Sequence, residues 1–103
     1  MEATVEHLTV TDFSDLLDSE FVLVTKNAYP STVRLILKST KEFGQSYANP
    51  FRAPFTITLI GPKQQMLAQD VYTVTNDRLG SLALLLVPIW ADGENVLYEA
   101  VFS

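Results

Sequence analysis

Leu82-Ala83-Leu84-Leu85-Leu86-Val87, residues 82–87, is the stretch on which the fold turns. In an extended strand, successive side chains point to opposite faces. Leu82, Leu84 and Leu86 therefore lie on one side, and Ala83, Leu85 and Val87 on the other. A strand with one wet face alternates polar and apolar residues; this one is apolar on both. The run continues through Pro88 and Ile89 to Ala91, the longest apolar run in the chain, about half of the ~20 residues that a membrane-spanning helix requires.

Working outward, the flanking signals are also β. Asn76-Asp77-Arg78-Leu79-Gly80 reads as a hairpin loop into Ser81–Val87, and Ala91-Asp92-Gly93-Glu94-Asn95 as a second hairpin into Val96–Phe102. Phe55, Ile57 and Leu59 alternate with Thr56, Thr58 and Ile60; Pro54 sits at the strand's first residue, where proline is tolerated, and Gly61-Pro62 ends it. Val33, Leu35 and Leu37 alternate with Arg34, Ile36 and Lys38 in a strand running on toward Phe43. Phe21–Thr25, Met66–Gln69 and Val71–Thr75 are shorter strand candidates, and Asn27-Ala28-Tyr29-Pro30-Ser31 is a turn. One short helix is predicted near the N-terminus, capped by Thr11 or Asp12, with Phe13, Leu16 and Leu17 at i, i+3, i+4 as a core plug. About six strands joined by short turns, with no long helical pattern between them, predict a mainly β single domain over residues 1–103. Its form is a small antiparallel β-barrel or sandwich with one short N-terminal helix.

A domain this small offers one inner layer. The second apolar face of 82–87 is therefore covered either by the N-terminal helix or by another chain. Residues 96–102 and 21–24 pose the same question.

The 103 residues hold 48% apolar and 18% charged side chains, which excludes disorder and coiled coil. There is no cysteine and one histidine, which removes disulfides, thiolate metal sites and multi-histidine metal sites. A net charge of −5 argues against nucleic acid as a partner. Residues 1–25 carry six acids and no base, 26–63 carry six bases against Glu42, and 64–103 carry five acids against Arg78. Either these segments neighbour each other and soften local fields, or they make a dipolar surface that favours head-to-tail stacking. The N-terminus has no basic residue and no apolar h-region, so a cytoplasmic location is the default expectation, unless the chain is exported within a larger assembly.

Catalytic patterns are absent. His7 sits among acids and reads as a solvated histidine, no Gly-x-Ser-x-Gly occurs, and Gly44, Gly61, Gly80 and Gly93 are dispersed at positions that read as turns. Asp92, Glu94 and Asn95 read as an ordinary turn rather than a calcium site, since the twelve-residue loop pattern is missing. No enzyme activity and no cofactor are expected. The 44–54 loop carries Tyr47, Phe51 and Arg52, side chains of the kind that dominate recognition surfaces, and these are the candidate partner-binding residues; the alternative is that Tyr47 and Phe51 cover a barrel end.

Phe13-Ser14-Asp15-Leu16-Leu17 with Phe21, Arg52-Ala53-Pro54-Phe55-Thr56-Ile57-Thr58-Leu59-Ile60-Gly61-Pro62, Leu82–Pro88, and Tyr98-Glu99-Ala100-Val101-Phe102-Ser103 together resemble an uncharacterised bacterial family of about this length, a domain of unknown function. The resemblance extends to companions of phage-tail-collar-like or tail-fibre-like proteins and implies a place in an extracellular fibre or injection assembly; it supplies no active-site residues. The expected function is a non-enzymatic interaction or assembly protein whose partner is another protein or a second copy, with no membrane. The alternative is a small-ligand binder using the barrel interior.

Overall fold

The computed structural model describes residues 7–44 and 52–103. A short helix, α1 (Val10–Ser14), precedes six strands: β1 (Glu20–Val24), β2 (Thr32–Glu42), β3 (Phe55–Pro62), β4 (Asp70–Asn76), β5 (Gly80–Ala91) and β6 (Asn95–Phe102). All pairings are antiparallel, and the order β1-β2-β3-β6-β5-β4 closes into a barrel. The chain thus makes two successive three-stranded meanders, joined along β3–β6 and meeting again at β1–β4. Register shifts at Leu37/Ser39 in β2 and Pro88/Trp90 in β5 interrupt the ladders. Bulges of this kind bend a strand and tighten its twist, which a six-stranded wall needs in order to close.

The alternating positions fall as their spacing requires. Leu82, Leu84 and Leu86 of β5, Val96, Tyr98, Ala100 and Phe102 of β6, and Phe55, Ile57 and Leu59 of β3 are buried inside. Both predicted hairpins are present. Asn76 Oδ1 accepts the N–H groups of Arg78 (2.9 Å) and Leu79 (3.2 Å), and Gly80 takes the positive φ of 76° that the loop demands. At the other hairpin, Asp92 Oδ1 accepts the N–H groups of Asn95 (2.7 Å) and Glu94 (2.8 Å). Those two bonds hold the Asp92 carboxyl below its ordinary pKa.

Four local expectations are corrected. The helix cap is Thr9, not Thr11 or Asp12: Asp12 stands at the third helical position, and its carboxylate reaches back to accept the Thr9 N–H at 2.8 Å. Leu17 is half-exposed, because α1 ends at Ser14 and the following turn swings it outward; Phe13 and Leu16 alone form the plug. Met66–Gln69 is not a strand. After a 3-10 turn at Lys63–Gln65 this segment crosses the far barrel mouth, where Leu67 is buried and donates its N–H to the Tyr98 hydroxyl at 2.8 Å. Gly61 is not at a turn but inside β3, facing the core. A Cβ there would stand 2.5 Å from Leu35 Cδ2, so its lack of a side chain makes room for the buried leucine.

The two barrel mouths are therefore stoppered differently. At one, Phe13 lies against Phe21, Phe55 and Phe102, with ring centroids 6.2, 5.7 and 5.1 Å away. At the other, Leu67 and Tyr98 do the same work. Burial raises the Tyr98 pKa above the ordinary tyrosine value of 10.0. Between the stoppers the interior holds packed aliphatic side chains, the usual filling of so small a barrel.

Candidate interaction surface

Because α1 stoppers a mouth, it does not lie over the outer wall. The outward face of β5 stays open among the described residues. Leu85 is 49% exposed and Trp90 52%, and Val71 on β4, directly across from Leu85 in register, is also half-exposed. On the other side, Trp90 pairs with Leu97 of β6, which in turn pairs with Ile60 of β3 and that with Ile36 of β2. An apolar row thus crosses the outside of four strands. Scattered surface hydrophobics are normal; a continuous patch is not.

The charge around this patch is mostly acidic. Asp70, Asp92 and Glu94 are exposed at its margin, and Glu99 stands on β6 beside Val87. Two bases stand by it: Lys63 donates its main-chain N–H to the Glu94 carbonyl at 2.8 Å, and Lys26 lines the same hollow as Asp70. On the opposite wall the charges are matched. Arg34 Nη1 meets Glu20 Oε1 at 2.9 Å, and Lys38 Nζ meets Asp18 Oδ1 at 3.8 Å. The N-terminal acids and the β2 bases therefore neighbour each other, as the softer of the two charge readings holds, and each exposed pair is worth at most about 1 kcal/mol.

Of the partner-binding candidates, Tyr47 and Phe51 lie outside the described residues. Arg52 sits at the α1 mouth. Its Nη1 donates to the Leu8 carbonyl, its Nη2 to the main-chain oxygen of Ser103 at 3.0 Å, and its guanidinium lies 5.4 Å from the Phe55 centroid and 5.6 Å from that of Phe102. Arg52 is thus engaged with the barrel's own terminal segments. Phe43 is exposed at the end of β2, with Lys41 Nζ 5.4 Å from its ring.

The β5 outer face is the feature that sequence reasoning located in outline, through the two-sided apolar run. Its acidic margin was legible only as a segment charge. His7 is exposed. No group of three or more His, Cys, Asp or Glu among the described residues is placed to hold a metal, and no helix among them is long and apolar enough to cross a membrane.

A family model described as a domain of unknown function, DUF6916, matches residues 8–102, and the chain belongs to that family. No curated protein and no solved structure matches the chain.

Proposed function

We propose that this domain is a non-enzymatic interaction module that seats a partner protein on the outer wall around β5. The reading rests on the exposed apolar side chains of Val71, Leu85 and Trp90 on this wall, with half-buried Leu97 paired beside Trp90. Interfaces of lasting complexes are built around such apolar centres with polar rims. The rim here, Asp70, Asp92, Glu94 and Glu99, favours a partner whose own rim is basic. A second copy docking the same face upon itself would set acid against acid, since a two-fold contact repeats one patch on both sides. The resemblance to companions of tail-collar-like and tail-fibre-like proteins makes a fibre or injection assembly the proposed setting. The 44–54 loop, with Tyr47 and Phe51, is the second proposed contact, and Arg52 serves it by holding the end of the loop to the barrel.

The test is a photo-crosslinking residue at position 85, followed by reconstitution of the crosslinked pair from pure components. Leu85→Glu and Trp90→Glu are each expected to weaken that complex tenfold or more while thermal stability stays within about 0.5 kcal/mol of wild type. A reconstituted complex indifferent to both substitutions overturns the reading. So does a homodimer dissolved by Leu85→Glu, which would name a second copy as the occupant.

A further inference from the structure

Of the four acids around the β5 wall, Glu99 alone stands within a ladder. Asp70 opens β4, and Asp92 and Glu94 belong to the β5–β6 hairpin; all three are exposed. Glu99 lies in the middle of β6. Tyr98 and Ala100 on either side of it turn into the core, so its own side chain points outward with Leu97 and Val101. Its register partners are Thr58 of β3 and Val87 of β5, both outward residues of the same wall. Among them Glu99 is half-buried.

Among the described residues this carboxylate has neither a side-chain hydrogen bond nor an ion pair. The bases of β2, two strands away, are turned to other contacts: Arg34 to Glu20, Lys38 to Asp18, and Lys41 to the Phe43 ring. Lys63 and Lys26 stand at the margin, by Glu94 and Asp70. On an open wall water solvates the Glu99 charge. Under a partner it does not, and covering an ionised carboxylate with apolar surface alone outweighs what the neighbouring apolar contacts contribute. Whatever covers this wall must therefore bring a cation to Glu99.

We propose that the partner protein seated on this wall sets an arginine against Glu99. The inference rests on the β5-wall reading and names the contact within it. A guanidinium presents parallel N–H donors that match the two oxygens of a carboxylate, and it is hydrated weakly enough to be buried with one. Its aliphatic stem packs on apolar neighbours such as Val87 and Leu97. Trp90, the register partner of Leu97, is half-exposed, and an indole face is a favoured surface for a guanidinium. A lysine would answer the charge through one compact, strongly hydrated ammonium and fits the site less well.

Trp90 is the chain's only tryptophan, so its fluorescence reads occupancy of the wall directly. The probe is a library of random octapeptides without tryptophan, selected on the full chain. The expected binders carry an arginine between apolar residues, change Trp90 emission, and are lost on Leu85→Glu. Replacing their arginine by citrulline keeps the shape and removes the charge. That change should weaken binding to the wild-type chain about tenfold and binding to Glu99→Gln hardly at all, the coupling expected of a direct contact. Glu99→Gln leaves the thermal stability of the free protein unchanged, since no partner of the carboxylate is lost. Binders that are lost on Leu85→Glu yet bind equally well with citrulline, or are weakened by it equally on both chains, overturn the arginine contact and leave the wall reading standing; Glu99 is then a charge that keeps the open wall soluble. A library without binders, or one whose binders all ignore Leu85→Glu, counts against the wall itself and overturns the proposal with it.

Discussion

The rings of Phe55 and Phe102 stack with centroids 4.6 Å apart and planes 2° from parallel, on residues that are also register partners across β3 and β6. Arg52 lies over both rings and ties Leu8 to Ser103, so one guanidinium fastens the segments at the α1 mouth.

Arg52→Ala is expected to destabilise the fold by about 1–3 kcal/mol, from lost charge-assisted hydrogen bonds and ring contacts. Arg52→Lys recovers only part, because an ammonium lacks the planar fork that spans two carbonyls. Urea denaturation reads both; an Arg52→Ala midpoint equal to wild type would show that the clamp carries no stability.

Phe13→Ala removes the ring that stoppers this mouth and should cost about 3–5 kcal/mol. Leu17→Ala, four residues on but half-exposed, should stay within about 0.5 kcal/mol. Calorimetry on the two variants distinguishes a plug from an amphipathic face resting on the wall, which would make the costs comparable.

Gly61→Ala forces Leu35 Cδ2 to move in a packed core and should destabilise by about 1–3 kcal/mol. Combining it with Leu35→Val is expected to be less than additive, since the smaller side chain vacates the contested space. A double-mutant cycle with no coupling energy would remove the steric account of this glycine.

Tyr98 makes alkaline stability predictable in sign. Its folded pKa is raised by burial, so its neutral form is the one the fold favours. The stability it contributes is fully present below the ordinary tyrosine value of 10.0 and is lost as pH rises through the elevated folded value. Tyr98→Phe should flatten that part of the alkaline decline. At neutral pH it should cost about 1–3 kcal/mol, because the buried Leu67 N–H loses its acceptor. Chemical denaturation across alkaline pH tests both halves.

Much of this architecture was legible from short-range pattern. The alternations in 33–38 and 55–60, the apolar runs in 82–87 and 96–102, and the side-chain-to-backbone turns begun by Asn76 and Asp92 act within a few residues of themselves. Reading fails where a residue's partner is distant. Arg52 was legible as a candidate contact residue, but its bonds to Leu8 and Ser103, each more than forty positions away, were not. Met66–Gln69 has some apolar character suited to a strand, yet Leu67 is drawn into a barrel mouth that exists only after six strands have closed. Gly61 resembles a strand-ending turn residue until Leu35 is brought against it.

The sequence by itself determined the six strands in outline, the inward faces of β2 and β3 and both β4–β5–β6 hairpins, because side-chain period and turn chemistry are written in neighbouring residues. Tertiary structure alone decided that the sheet closes rather than stacks, that α1 stoppers a mouth instead of covering β5, and that β1 and β4 meet at a single pair. Those outcomes depend on twist and bulge curvature summed over the whole wall and on contacts between residues far apart in the chain, which no local pattern records.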